Sequence, residues 1–393
     1  MRVVIGTLGL ASPGGTETYC LTVARELDRL GHDVTLFADQ LGPFAEWARE
    51  AGFDIAGGLG DLPATCDVVL ANDAVTAGLL AERYPETRLV FCIHTTIFEV
   101  QSPPLAPGLV NAIVASSERF AAFARAFALD VPVVRLSQPI DTEYFAPSVP
   151  PREIPRRALL LGNYLDGRRR DALVETWTAR GVECVQVGLD NLVFDVRAAI
   201  ADADIVVGRG RAAMEGMACG KAVYVFDAGG GDGWVTMDAF EAIEADNFAG
   251  MATDMPVDRQ RLAADLDRYD SDMGWINREL VVTHHNVRTH AQRLVEVLRG
   301  PAPERREPTS SSSAAARTVR FAWRAQMRAM NIEREVAEMH RRLHASEVET
   351  LLARAERDAA LAERDAARKL LESRRVRAGL VVGRYLDRAR GRR

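Results

Sequence analysis

The chain has 393 residues and a formal net charge of −6, from 49 Lys and Arg against 55 Asp and Glu. That length exceeds what one hydrophobic core organises, so two domains and an appendage are expected. Residues 1–300 carry 27 Lys and Arg against 42 Asp and Glu, and residues 301–393 carry 22 against 13; the acidic body argues against nucleic acid as a partner, and the basic end suits an anionic surface.

In chain order, residues 2–8 are β-branched and read as a first strand rather than a signal peptide, and no apolar run approaches the ~18 residues of a membrane span. A Ser-Pro-Gly-Gly turn at 12–15 follows. Apolar residues at helical spacing over 17–30 (Cys20, Val23, Ala24, Leu27, Leu30) predict a helix stopped by Gly31, and 33–38 is the next strand. This β-α-β unit builds a parallel sheet. Helix 43–51 leads to a strand at 53–56. Further strands at 66–71, 89–93, 111–115 and 131–136 interleave with helices 74–83 and 117–127. A second alternating series begins near 157, with strands 157–161, 183–188, 205–207 and 222–226 and helices 170–180, 192–202 and 212–219. Helical segments over 257–299 finish the body.

The fold class expected is therefore α/β, with two Rossmann-like domains facing a cleft, residues 1–150 and 151–300, hinged by the proline-rich stretch 137–155. Residues 301–316 read as a Pro/Ser/Ala linker and 317–372 as one long helix. That helix holds the near-repeat AERDAAL then AERDAAR at 355–368, and Leu352, Ala355, Ala359, Ala362 and Ala366 keep 4-3 spacing. It is either an alanine-rich coiled coil or a single solvated helix. Residues 373–393 are a basic tail, suited to self-association together with the helix, to peripheral contact with an anionic membrane, or to no contact at all. The cysteines (20, 66, 92, 184 and 219) lack CxxC spacing, which fits the reduced thiols of a cytoplasmic protein and neither a disulfide frame nor a metal site.

Chemistry concentrates at predicted strand ends. Gly14 and Gly15 open the first helix, where unpaired amides meet phosphate, with Glu17 one turn in. His94 follows strand 89–93, placed to hydrogen-bond a sugar hydroxyl or move a proton. Arg168 lies in LGNYLDGRRR (161–170), which closes the first strand of the second series and offers guanidinium groups to a pyrophosphate. The segment 207–223 (VGRGRAAMEGMACGKAV) places Arg209, Arg211 and Glu215 around a helix start, and suits an anionic, hydroxyl-bearing ligand whose ribose Glu215 would hold. Gly230 and Asp232 lie in GGGDGW (229–234), read as a flexible loop at the cleft edge. His284, His285 and His290 have no metal-ligand spacing and read as structural or surface.

The order of PGGTETY (13–19), GHDVTLF (31–37), FCIHTT (91–96), PIDTEYF (139–145) and MEGMACGKAV (214–223) resembles the retaining, nucleotide-sugar-dependent glycosyltransferases of GT-B architecture, in the large family numbered four. The resemblance spans about residues 1–300. It implies that Gly14 and Gly15 border the donor phosphates and the acceptor, that His94 contacts the transferred sugar, and that Glu215 holds the ribose. Two departures stand out. The family's basic pair falls here on Asn163 and Arg168, so one charge is missing, with Arg169, Arg170, Arg209 or Arg211 available to compensate. The first of its paired glutamates, counted back from Glu215, falls on Val207. The expectation is metal- and cofactor-free glycosyl transfer from a nucleoside-diphosphate sugar to a glycan, lipid or small-molecule acceptor. A nucleotide-binding scaffold without turnover is the alternative, and an epimerase of the same shape a third.

Overall fold

The computed structural model describes the chain except residues 164, 166, 189–190, 228–229, 254–257, 302–309, 373–378, 380, 382, 385–387 and 389–393. It divides into residues 1–321 and a helical unit, 322–393. In the first, the elements run β1 (Arg2–Leu10), α1 (Gly15–Arg29), β2 (Asp33–Leu41), α2 (Pro43–Glu50), β3 (Asp54–Ala56), β4 (Val68–Ala71), α3 (Ala74–Arg83), β5 (Arg88–Ile93), β6 (Ala112–Ala115), α4 (Glu118–Ala126) and β7 (Val133–Arg135). These strands form a parallel sheet of order β3-β2-β1-β4-β5-β6-β7. Helices cover both faces, so β1 buries Val3 and Ile5 on one side and Val4 on the other.

The second sheet follows from β8 (Arg157–Leu161), α5 (Gly167–Thr178), β9 (Glu183–Val187), α6 (Arg197–Asp202), β10 (Ile205–Gly208), α7 (Arg211–Ala218), β11 (Ala222–Asp227) and β12 (Gly230–Trp234). Its order is β12-β11-β10-β8-β9, with β12 antiparallel to β11. The segment expected to be a flexible loop at 229–234 is thus mostly an edge strand. Gly230 is what the edge requires, since a Cβ there would strike the backbone oxygen of Gly250.

Helices α8 (Phe240–Ala245), α9 (Arg259–Leu266), α10 (Asp272–His284) and α11 (Val287–Leu298) complete the body. By sequence α11 falls in the second half, yet Leu294, Val295 and Leu298 pack into the core of the first sheet. Arg88 of β5 donates to the carbonyls of Val297 (3.1 Å) and Pro301 (2.9 Å), which seats the end of α11 there. The apolar stripe of α11 is read correctly from its spacing, but which lobe it joins is a long-range contact. The crossing segment is fastened as well: Ile140 N–H donates to His285 O at 2.7 Å, and Arg278 donates to the carbonyls of Thr142 and Phe145. Buried Asp204 accepts from the amides of Arg152, Arg156 and Arg157, which fixes the entry into β8.

The last helix, α12 (Ser310–Glu372), has 63 residues. It begins inside the stretch expected to be linker, because Ser310–Ala316 has no Gly or Pro to stop helical propagation. Most of the basic tail lies outside the described residues. Among the described residues, no helix is long and apolar enough to cross a membrane.

Candidate active site

Each sheet has one place where neighbouring strands lead to connections on opposite sides: between β1 and β4 in the first, and between β8 and β10 in the second. Ligands of open α/β sheets bind outside the carboxyl ends of the strands at such points. Here the two face each other. The Asn163 side chain, just past β8, donates to the carbonyl of Pro13, just past β1, at 3.2 Å.

On the first side, His94 leaves the end of β5 and its Nε2 lies 2.7 Å from Asn72 Oδ1. Asn72, buried past the end of β4, donates its amide to Gly6 O at 2.9 Å, so its oxygen faces the histidine. Nε2 of His94 therefore carries the proton and Nδ1 is left as an acceptor. Burial, with Arg211 and His290 nearby, lowers the His94 pKa to about 3, so the ring is neutral at physiological pH. Tyr19 packs edge-on against the ring, 4.5 Å between centroids. The Tyr19 hydroxyl meets His290 Nε2 at 3.4 Å, and His290 Nδ1 donates to Ser137 O at 2.8 Å. His285 is also buried, donating from Nδ1 to Gln138 O. Of the three late histidines only His284 is at the surface. Their spacing in sequence gave no signal of this, because the pairing partners are more than 100 residues away.

Gly14 is the N-cap of α1 in extended conformation. A Cβ on it would collide with Oε2 of Glu17, whose carboxyl group folds back over the first turn. A glutamate at the third helical position facing the cap residue is half of a capping box. The helix start that the sequence offers to phosphate is thus faced by an acid of the chain itself, while around Gly15 a Cβ would meet open space. Burial raises the Glu17 pKa to about 7, opposed by its own backbone N–H and reinforced by Asp73. Asp73 caps α3, accepting from Thr76 N at 2.8 Å and Thr76 Oγ1 at 2.7 Å, and is itself pushed to about 6, chiefly by burial. Asp39, on β2, pairs with Arg320 of α12 at 2.9 Å. This side of the cleft is acidic.

On the second side, Gly210 has φ 53°, a left-handed value that favours glycine, and it turns the chain from β10 into α7. Arg211 is not the exposed phosphate arm that sequence suggests. It is buried, donates to Pro139 O (2.7 Å) and reaches Thr22 Oγ1 of α1 (3.1 Å), joining the lobes. Its Nε lies 3.4 Å from Glu215 Oε1. Burial pushes the Glu215 pKa up, and the adjacent guanidinium opposes that shift. Arg209 stands at the strand end, one third exposed, held by Asp227 at 2.6 Å. Arg168 is exposed on the first turn of α5.

Two further expectations change. Val207 pairs between Leu160 and Tyr224 and is fully buried in the core of the second sheet. The position counted back from Glu215 is therefore a core position inside β10 and not the donor side of the cleft. Asp232 is buried on β12, accepting from Thr253 N (2.9 Å) and Thr253 Oγ1 (3.2 Å), and so ties the edge strand to the following loop. The sequence reading missed Asn72, which orients His94, and Arg119, which bridges from α4 to Asp246 at 2.7 Å.

No protein-family model matches the chain, and neither does any curated protein sequence. Solved structures do. Anabaena HepE (Alr3699), in complex with UDP-glucose, is 14% identical over 76% of this chain and 99% of its own, with TM-score 0.56. The pneumococcal O-GlcNAc transferase GtfA, in complex with UDP and GlcNAc, is 9% identical over 76% and 98%, with TM-score 0.51. The E. coli trehalose-6-phosphate synthase bound with UDP-2-fluoro glucose is 13% identical over 77% and 100%, with TM-score 0.50. The fold is GT-B. In this GT-B chain the two switch points are held face to face by side chains of both lobes. Among the described residues, no group of three or more His, Cys, Asp and Glu is arranged to hold a metal ion.

Proposed function

We propose that this chain transfers a glycosyl group from a nucleoside-diphosphate sugar to an acceptor hydroxyl, with retention of configuration and without a metal ion or other cofactor. The observation that carries the reading is the juxtaposition of the two switch points across the Asn163–Pro13 hydrogen bond, with His94 on one side and Glu215 on the other. Glu215 holds the ribose hydroxyls, and the Arg211 guanidinium beside it opposes the upward push of burial on that carboxyl group. Arg209 and the amides opening α7 face the diphosphate, and Arg168 adds charge from the exposed start of α5. His94 accepts a hydrogen bond from a hydroxyl of the transferred sugar through Nδ1.

In the transfer the bond from the anomeric carbon to the diphosphate oxygen breaks, and the acceptor oxygen bonds the same face. The acceptor proton passes to the departing phosphate. Guanidinium groups and amides fixed beforehand stabilise the charge that develops on the leaving group. The acceptor is a glycan, lipid or small molecule bound on the first lobe. Five free cysteines, four of them buried, suit a reducing compartment such as the cytoplasm.

The test is incubation with a panel of UDP- and GDP-sugars, following nucleotide release, alongside thermal shift by the nucleotides. Release with at least one donor is expected, and Glu215→Ala should weaken nucleotide binding. Silence across the panel with no thermal shift refutes the enzyme. A second reading, nucleotide binding without turnover, is favoured by Asn163, which supplies an amide where the family resemblance places a cation. Binding of nucleotide-sugar without loss of the sugar separates the two.

A further inference from the structure

Asp246 closes α8, and the two residues after it, Asn247 and Phe248, have φ of 60° and 56°. Left-handed backbone is costly for a side chain the size of phenylalanine, and it persists where surrounding contacts demand it. Phe248 is buried, and its carbonyl accepts from Gly210 N–H at 2.9 Å, so the turn stands directly against the cap of α7. Asp246 Oδ2 accepts from Met251 N–H at 3.0 Å and closes the turn on itself. The other oxygen, Oδ1, meets Arg119 Nη1 of α4 across the lobe boundary at 2.7 Å.

Arg119 also faces the first lobe. Its Nη2 donates to Thr96 Oγ1 at 3.4 Å, just past His94, while Nη1 lies 3.4 Å from Met251 Sδ. The planar guanidinium fork thus holds loops of both lobes at once, which a single ammonium group would do poorly. A separate ion pair, Arg135 of β7 with Glu244 of α8, also joins the lobes. Among the described residues, Arg135 makes no hydrogen bond to the His94 loop. We propose, on the reading of this site as a glycosyltransferase, that Arg119 is a positioning residue for the transfer. Through Asp246 and the turn 246–251 it sets the loop of His94 and Thr96 against the end of α7 that meets the donor. The contacts run from Gly210 through Phe248, Asp246 and Arg119 to Thr96, so nucleotide held at α7 fixes the loop that faces the transferred sugar.

The experiment uses the full chain, with UDP and GDP as probes and the donor sugar that wild type consumes. On adding nucleotide, hydrogen exchange at the amides of residues 95–98 should slow in wild type and stay unchanged in Arg119→Met. The variant should still bind the nucleotide, its dissociation constant changed by less than about twofold. In turnover, Arg119→Met and Asp246→Asn should each lower kcat about tenfold with the donor KM nearly unchanged. The double variant should be no slower than either single one, since both remove the same link. Arg135→Met, which also removes an ion pair between the lobes, should keep kcat within about twofold of wild type. Losses that multiply in the double variant, or an equal loss in Arg135→Met, overturn the inference and leave the transferase reading standing. So does protection at 95–98 that is absent from wild type or survives Arg119→Met. In a chain that binds nucleotide without turnover, the exchange result alone decides. Absence of both binding and turnover in wild type overturns the transferase reading, and this inference with it.

Discussion

Replacing Glu17 with glutamine tests whether burial or helix capping controls the acid at the opening of α1. The carboxyl group sits over Gly14, and its pKa is raised from 4.5 to about 7, chiefly by burial, with the charge of Asp73 adding to the shift. One pKa unit corresponds to about 1.4 kcal/mol, so the full shift corresponds to about 3 kcal/mol, and partial solvent exposure reduces this to about 2 kcal/mol. The folded state holds this proton more tightly than the unfolded chain. Stability is therefore fully present below the unfolded pKa of 4.5 and is lost as pH rises through 7, where the folded protein must ionise a buried group. Urea unfolding of wild type and Glu17→Gln at pH 5 and pH 8 reads this directly. Near pH 5 the two should be close, and at pH 8 the variant should be more stable by about 2 kcal/mol. A variant less stable than wild type at pH 8 would refute the reasoning, because the ionised carboxylate would then be serving as a net favourable cap for the helix amides.

Three other outcomes follow from the same geometry. Arg211→Ala should cost about 3–5 kcal/mol in urea unfolding, since it leaves Glu215 buried without its cation, and adding Glu215→Gln should recover part of the loss. Asn72→Ala frees the His94 ring and should lower kcat about 10- to 100-fold, with little change in the circular dichroism spectrum; unchanged turnover would remove His94 orientation from the mechanism. Val207→Glu, which by counting restores the family's paired glutamates, should instead lower stability by at least ~3 kcal/mol, because the carboxylate enters the core between Leu160 and Tyr224. Soluble, more active Val207→Glu protein would show that the position faces the cleft after all.

Sequence alone determined a good deal here. The alternation of β-branched runs with helical spacing set two sheets of parallel strands, apart from the antiparallel edge β12, and the ends of those strands set where Gly14, His94, Arg209 and Glu215 stand. These are local properties, fixed by the 2.0 and 3.6 periods and by where strands stop. Tertiary structure decided what those side chains do. Arg209 and Arg211 are two residues apart and look alike as sequence, yet one stands at the strand end and the other is buried against Thr22, 189 positions away. Val207 became a core residue because β10 runs one residue past it before turning. Burial drew the Glu17 pKa up to about 7, and α11 left the second lobe for the core of the first. Burial and pairing depend on contacts between distant segments, and no local period encodes which segments meet.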